Sequence, residues 1–308
     1  MFNPKIADFV PYKNKEFLDK VRAMSGEELT KHPNPDFKIQ IVPDPSGIWI
    51  ADMIARIQAS DLLDKKLVMI LPNPCPGIYQ VVASAINQLR ISCRNVHIYT
   101  MDEWADQDGN VAPITYKAGF SYSQLTYFYG KIDPELRMPL SQVHYPTTEN
   151  INDYSKMLHA EGDADICYSG PGWAGHIAFI DPCTPEFGNP PIEEYLKMEA
   201  RIVTLNPMTI MQNSLHGVFG QSGDIASVPP CAATIGPVDV LRAKNRMECH
   251  ALTTGGSFSS WQRMISRLIL QGEVTPLVPA SILQLMPTMV YISDDIAKPI
   301  ECMETVGY

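Results

Sequence analysis

The sequence predicts an α/β fold with a mainly parallel sheet flanked by helices, Rossmann-like in its arrangement. Apolar runs such as 66–71 (KLVMIL) have no polar alternation, which is typical of parallel strands buried on both faces. Segments between these runs, such as 48–63, have apolar residues at helical spacing. Strand-like and helix-like segments alternate through most of the chain, the order that builds such a sheet.

The elements follow in order from these patterns. The predicted strands are 38–42, 66–71, 96–100, 142–145, 164–168, 200–205, 231–235 and 246–252, with short apolar segments at 282–285 and 289–292. The predicted helices are 16–24, 48–63, 78–89, 116–129, 152–160, 209–219, 238–244 and 258–270; the segment 209–219 is also a candidate mobile flap. Residues 1–37 are predicted to be an N-terminal extension, broken by prolines, and 38–308 a single α/β domain.

Composition narrows the class of partner. The 308 residues have a net charge of −10 and a pI near 5.2, which argues against nucleic-acid or anionic-membrane binding, because both need a basic face. The seven cysteines are scattered without a CxxC pair, unlike a disulfide framework or a structural zinc site. No apolar run approaches the ~20 residues of a membrane span. We therefore expect a cytoplasmic protein without a structural zinc site.

The stretch 164–182 (ADICYSGPGWAGHIAFIDP) has the form of a site at the carboxyl edge of the sheet. An apolar run ends in glycines and is followed by two titratable residues, His176 and Asp181. Open α/β sheets bind their ligands at that edge. Read literally, Gly170–Gly175 (GPGWAG) matches the dinucleotide-binding pattern, but that motif should open a helix, and here an extended or looped segment follows. A simple glycine turn is the other alternative, and it leaves His176 and Asp181 unexplained.

Four segments resemble the glucosamine-6-phosphate deaminase family in the same order. The residues 175–179 (GHIAF) followed by Asp181-Pro182 resemble its GHIAF signature, which continues into Asn-Glu-Pro. Residues 100–103 (TMDE) resemble its Asn-Met-Asp-Glu, 234–236 (TIG) its Thr-Val-Gly, and 281–287 (SILQLMP) its Ser-x-Leu-Gln-Leu-His-Pro. The resemblance covers about residues 38–300. It implies the sugar-phosphate isomerase/deaminase fold, which 6-phosphogluconolactonases share.

The resemblance also implies an activity, namely isomerisation of an amino-sugar aldose to a ketose by C2 proton abstraction, followed by release of ammonia. Such an enzyme is a hydrolase of amino-sugar metabolism that needs no cofactor, acts on a sugar or sugar phosphate, and is expected to form a homo-oligomer. A carboxylate and a histidine suit the proton transfer and the ring opening. The implied catalytic residues are Asp102, His176 and Asp181, and the implied substrate-binding residues are Asn73, Glu103, Gly172, His216 and Ser257.

The departures from the family all affect the substrate site. The family's aspartate two residues before the histidine is Ala174 here, and its glutamate is the shorter Asp181. Its phosphate-binding turn reads 73–76 (NPCP), with no glycine or hydroxyl. Its two phosphate-binding cations align with Leu215 and Ser259, and a shift of one residue would bring His216 to the first position. Phosphate recognition is therefore predicted to be altered.

The sequence alone leaves three functions open. The first is a deaminase-like enzyme acting on an amino sugar or related sugar, and the second is a non-catalytic sugar-binding or regulatory protein on the same fold. Lactone hydrolysis is the third, although the lactonase motif keeps the aspartate before Gly-His. An arginine of the family's allosteric phosphate site matches Arg201, but the neighbouring lysine falls at Val203.

Overall fold

A computed structural model describes residues 4–251 and 262–301. The helices are α1 (Lys15–Ala23), α2 (Pro45–Leu63), α3 (Pro76–Leu89), α4 (Phe120–Tyr127), α5 (Tyr154–Ala160), α6 (Ile192–Tyr195), α7 (Pro207–Asn213), α8 (Pro237–Arg242), α9 (Gln262–Gln271) and α10 (Asp294–Ala297). The strands are β1 (Phe37–Val42), β2 (Leu67–Leu71), β3 (Val96–Thr100), β4 (Asp102–Ala105), β5 (Val143–His144), β6 (Ile166–Ser169), β7 (Arg201–Thr204), β8 (Cys231–Thr234), β9 (Arg246–His250) and β10 (Thr288–Ser293). Short 3₁₀ helices cover Gly26–Thr30, Tyr129–Lys131, Leu140–Gln142, Ile151–Asp153, Gly217–Phe219, Ile225–Ser227 and Pro279–Leu285.

The main sheet has seven strands in the order β1-β10-β9-β6-β2-β3-β5, and every pair is parallel. Its two faces are covered by separate hydrophobic cores. Residues of α2 and α3, such as Trp49 and Tyr79, pack in one core, and residues of α1, α5, α9 and α10, such as Val21 and Leu268, pack in the other. Helices on both faces explain why β2 is buried at all five positions. The predicted α/β class with a mainly parallel sheet is confirmed.

A second, antiparallel sheet of three short strands in the order β4-β8-β7 was not predicted. The predicted strands at 200–205 and 231–235 belong to it, and β4 begins at Asp102 directly after the main-sheet strand β3. Asp102 lies opposite Thr234, so two of the four family-like segments are neighbours on this sheet. The Phe179 N–H donates to the Thr234 hydroxyl at 3.1 Å and brings in a third.

Three predicted elements differ in the structure for local reasons. The helix predicted at 116–129 begins only at Phe120, because the Glu103 carboxylate accepts the first N–H groups of α4. The segment 282–285 lies in a 3₁₀ helix, where Gln284 donates to two carbonyls at the end of α9. The segment 209–219 is divided into α7 and a 3₁₀ helix. The predicted helix 258–270 is described from Gln262 on, and its first four residues lie outside the described part of the chain.

The N-terminal segment packs on the domain through the buried guanidinium of Arg267 on α9. Arg267 donates to the carbonyls of Met24 at 3.0 Å, Ile296 at 2.9 Å and Lys298 at 2.8 Å, and to that of Arg263 one turn earlier. The division into 1–37 and 38–308 stays a prediction. Within residues 4–251 and 262–301, no helix combines the length and apolar character needed to cross a bilayer.

Replacing Arg267 with methionine should destabilise the protein by about 3 kcal/mol, because buried carbonyls lose a charged donor. Burial lowers the pKa of Arg267 to about 10, so the guanidinium is still charged at neutral pH. The measurement is urea-induced unfolding followed by circular dichroism. Arg90→Met is the matched control, since Arg90 forms only surface ion pairs, and its midpoint should barely move. Equal midpoints for the two variants would contradict the assignment.

Candidate active site

The candidate active site is a cavity of about 620 Å³ at the carboxyl edge of the main sheet. Its floor includes Pro72 after β2, Met101 after β3, Gly170 after β6 and Ala251 after β9. The ends of four adjacent parallel strands therefore meet at one depression, as expected for an open α/β sheet. Eight residues are expected at the site. Asn73, Asp102, His176 and His216 line the cavity, whereas Asp181, Gly172 and Glu103 are not among its lining residues. Ser257 is outside the described residues.

His176 and Asp181 form a buried dyad. Nδ1 of His176 lies 2.6 Å from Oδ1 of Asp181, and the Thr209 hydroxyl, 3.1 Å from the same nitrogen, donates to that oxygen at 2.8 Å. The Asn206 N–H donates to the other carboxylate oxygen at 2.8 Å. With Nδ1 donating to Asp181, Nε2 is left as the acceptor. The shorter aspartate thus reaches the imidazole, and it orients the ring although Ala174 offers no carboxylate.

Gly172 determines where the imidazole can lie. A β-carbon at this position would overlap Nε2 of His176, so only glycine leaves room for the ring. The next glycine of the stretch, Gly175, has φ +74°, a left-handed conformation that a side chain disfavours. These glycines serve the packing and aim of His176, and the loop after them does not open a helix, so the dinucleotide alternative is not supported.

Asp102 is a buried carboxylate whose negative charge is poorly stabilised by its surroundings. Its side chain lines the cavity with 5% exposure, and among the described residues its Oδ1 has no hydrogen-bond partner. Burial raises its pKa well above the usual carboxyl value, and the negative charges of Glu103 and Asp181 raise it further. A carboxylate of this kind readily accepts a proton, which is the property of a general base.

Glu103 is fully buried and is not among the residues that line the cavity, so the substrate-binding role expected for it stays a prediction. Its carboxylate accepts the N–H groups of Trp104 at 2.8 Å, Phe120 at 3.0 Å and Ser121 at 2.6 Å. It therefore holds the amino end of α4, where orphan N–H groups and the helix dipole stabilise a negative charge. Phe120 lines the cavity, so Glu103 influences the shape of the site by holding the Phe120 main chain.

The turn at 73–76 offers little to an anion. Pro74 and Pro76 have no N–H, and the Asn73 amide donates to Gln124 at 3.1 Å. The Cys75 thiol lines the cavity, and burial, with a smaller effect of the Asp102 charge, raises its pKa to about 12. Cys75 is therefore a neutral thiol at physiological pH and brings no charge to the site.

Lys117 is a site residue that sequence reasoning missed. Among the described lining residues it is the single lysine or arginine, and it is exposed at the cavity mouth. His216 also lines the cavity, but burial and the neighbouring His176 lower its pKa to about 4, so it is neutral at pH 7. Lys117 lies between β4 and α4, inside the segment 116–129 that was predicted to be a helix, and that prediction did not distinguish this lysine from other surface cations.

Replacing Asp102 with asparagine should stabilise the protein increasingly as the pH rises from 4 to 8. Because the pKa of folded Asp102 is raised above its unfolded value, ionisation lowers stability above the unfolded pKa. Asparagine keeps the shape and removes the charge. Thermal unfolding at several pH values measures the effect, with Asp108→Asn on an exposed turn as the control. A lower melting temperature for Asp102→Asn at pH 8 than for the wild type would contradict this account.

No family model matches the chain. It is 27% identical over 236 residues to glucosamine-6-phosphate deaminase 2 of Giardia intestinalis, covering 76% of this chain and 79% of that protein. It is 25% identical over 266 residues to the glucosamine-6-phosphate deaminase of Treponema denticola (84% and 89%), and 26% over 260 residues to that of Caenorhabditis elegans (83% and 88%).

Solved structures agree on the fold. A monomeric glucosamine-6-phosphate deaminase matches with a TM-score of 0.65 and 23% identity, over 85% of this chain and 99% of that one. A 6-phosphogluconolactonase from Leishmania guyanensis matches with a TM-score of 0.58 and 13% identity, over 86% and 99%. The chain is a divergent relative of the glucosamine-6-phosphate deaminases, with the fold that those enzymes share with 6-phosphogluconolactonases.

Proposed function

We propose that this protein is a deaminase-like enzyme that isomerises an amino sugar by proton abstraction at C2 and then releases ammonia. The observation that carries the proposal is the buried Asp102 carboxylate, whose Oδ1 has no hydrogen-bond partner among the described residues, in the same cavity as the oriented imidazole of His176. The similarity to glucosamine-6-phosphate deaminases supports the reaction class. A homo-oligomer in the cytoplasm remains our expectation.

The residues suit the steps of such a reaction. His176, with Nδ1 bound by Asp181, takes and returns the proton needed to open the sugar ring through Nε2. Asp102 then removes the proton from C2 and delivers it to C1, and a proton of the C2 amine passes to the C1 oxygen, so the open-chain amino aldose becomes a C1 alcohol with a C2 imine. Water adds to that imine, and ammonia leaves. Thr209 is a positioning residue, since it contacts both His176 and Asp181.

We further propose that recognition of the phosphate end of the sugar differs from that in the glucosamine-6-phosphate deaminases. The turn at 73–76 lacks the donors for a phosphate, and His216 is neutral, so Lys117 is left as the described lining cation. A single flexible lysine gives weaker phosphate binding than a cradle of backbone N–H groups with two cations. An unphosphorylated or differently placed anionic substrate is therefore favoured over a tightly held 6-phosphate.

Asp102→Asn should abolish exchange of the C2 proton with solvent. The wild-type protein is incubated in D2O with glucosamine, glucosamine 6-phosphate and other aldoses, and deuterium at C2 and free ammonia are measured. Asp108→Asn serves as the matched control and should keep full exchange. Saturable binding of a sugar without exchange would favour the non-catalytic alternative, and lactone hydrolysis without exchange would favour a lactonase.

Lys117→Met should raise KM for an anionic sugar by roughly 10-fold or more, because one charged hydrogen bond contributes about 1.5–3 kcal/mol. The kcat value and the KM for a neutral sugar should stay unchanged, since Lys117 is not placed among the reacting groups. Lys131→Met, outside the cavity lining, is the control. An equal rise in KM for neutral and anionic sugars would count against a role in anion recognition.

A further inference from the structure

A cluster of His97, His144 and Glu161 lies outside the candidate active site. His97 is the second residue of β3, His144 ends β5 at the edge of the sheet, and Glu161 follows the end of α5. Asp102 comes five residues after His97, beyond the other end of β3. At about 3.3 Å per residue, the two positions are roughly 16 Å apart along the chain. The cluster is therefore separate from the cavity and independent of the proposed reaction.

The three side chains converge on one point. One potential ligand atom of each lies within 4.8 Å of those of the other two, and Nδ1 of His97 is 3.4 Å from Oε2 of Glu161. The planes of the His97 and His144 rings are nearly parallel, with an angle of 18° between them. His144 also stacks on Tyr99, with ring centroids 4.3 Å apart. Stacking against the sheet holds the imidazole of His144 in place.

Two imidazole nitrogens of the cluster are buried without a hydrogen bond to a described residue, and the nearest carboxylate oxygen to Nδ1 of His97 in the cluster is Oε2 of Glu161 at 3.4 Å. Neither Nδ1 of His97 nor Nε2 of His144 makes a hydrogen bond to any described residue, although both atoms are shielded from solvent. A buried nitrogen without a partner costs about 1–3 kcal/mol, so two in one cluster need an explanation.

Two imidazoles and a carboxylate form a ligand set suited to zinc. Zinc binds histidine nitrogen and carboxylate oxygen at about 2.0–2.2 Å, so tetrahedral ligand atoms lie roughly 3.4 Å apart. The separation of His97 Nδ1 and Glu161 Oε2 has this value, 3.4 Å. The ligand atoms of all three residues lie within 4.8 Å of one another. Side-chain exposures of 19% for His97 and 26% for Glu161 leave a path for an ion.

We propose that His97, His144 and Glu161 bind one divalent transition-metal ion of the zinc class, with the fourth position open to water. The ion would join the edge strand β5, its neighbour β3 and the end of α5. Its role is therefore to hold the edge of the sheet, away from the catalytic groups.

Lys66 modulates the site. Its ammonium donates to Oε2 of Glu161 at 3.0 Å and to the Glu161 main-chain carbonyl at 2.7 Å. A metal ion would compete for the carboxylate, and Lys66 could keep its bond to the carbonyl. Because two positive charges near one carboxylate repel each other, removing the Lys66 charge should tighten metal binding.

The test uses the full chain without an affinity tag, stripped of metal with a chelator. Zn²⁺ is titrated in competition with a chromophoric chelator, bound zinc is counted by mass spectrometry, and Co²⁺ is added to record its visible spectrum. We expect one Zn²⁺ per chain, a tetrahedral-type Co²⁺ spectrum, and a melting temperature that rises with Zn²⁺ concentration.

Variants assign the ligands. His144→Phe keeps the stacking on Tyr99 and should weaken Zn²⁺ binding by more than about 100-fold, since loss of even an outer partner costs 10–100-fold. Glu161→Gln should also weaken binding, and Lys66→Met should tighten it several-fold. The control is His159→Asn, which removes an exposed histidine paired with Asp163 and should leave binding unchanged. Absence of stoichiometric binding by the wild type, or binding unaffected by His144→Phe, would overturn the proposal.

Discussion

Burial of three carboxylates beside one another is the constraint on which the candidate site depends. Glu103 is stabilised by three N–H groups at the start of α4, and Asp181 by His176, Thr209 and the Asn206 N–H. The negative charges of both acids are therefore stabilised by groups that also position the walls of the cavity. The third acid, Asp102, has no such partner at Oδ1 among the described residues, and the charges of its acidic neighbours oppose its ionisation. An acid that is costly to ionise therefore faces the cavity.

The sequence allowed the main sheet to be predicted because its strands and helices have strong, distinct periodicities. The helix α3 and the strands β2 and β3 lie within two residues of their predicted bounds. Two strands of the second sheet, β7 and β8, lie within the predicted strands 200–205 and 231–235, but β4 and the pairing of the three strands were not predicted, because that pairing is decided by contacts between distant segments. The shortening of α4 likewise depends on Glu103, which no local pattern in 116–129 includes.

The candidate site also combines residues that the sequence predicted with contacts that it did not predict. Asp102, His176 and Asp181 could be picked out because their motifs are local in sequence and chemically specific. The reach of Asp181 to the imidazole could not, since it depends on the path of the loop 177–180 and on Asn206 of a different segment. Nor could Lys117 be found, because nothing in the predicted helix 116–129 distinguishes this lysine from any other surface cation. Residue type predicts the chemistry, and tertiary packing decides which groups meet.

The contact of Arg267 with Met24 has a consequence for the order in which the chain can fold. The two residues are separated by 243 positions, and the nearby strand β1 pairs only with β10, which begins at Thr288. During synthesis, the first forty residues thus leave the ribosome long before their native partners exist. Closing so long a loop is slow, so β1 lacks its strand partner β10 until late in translation. The polar, proline-broken character of residues 4–36 keeps this waiting segment from presenting a long apolar edge to other chains.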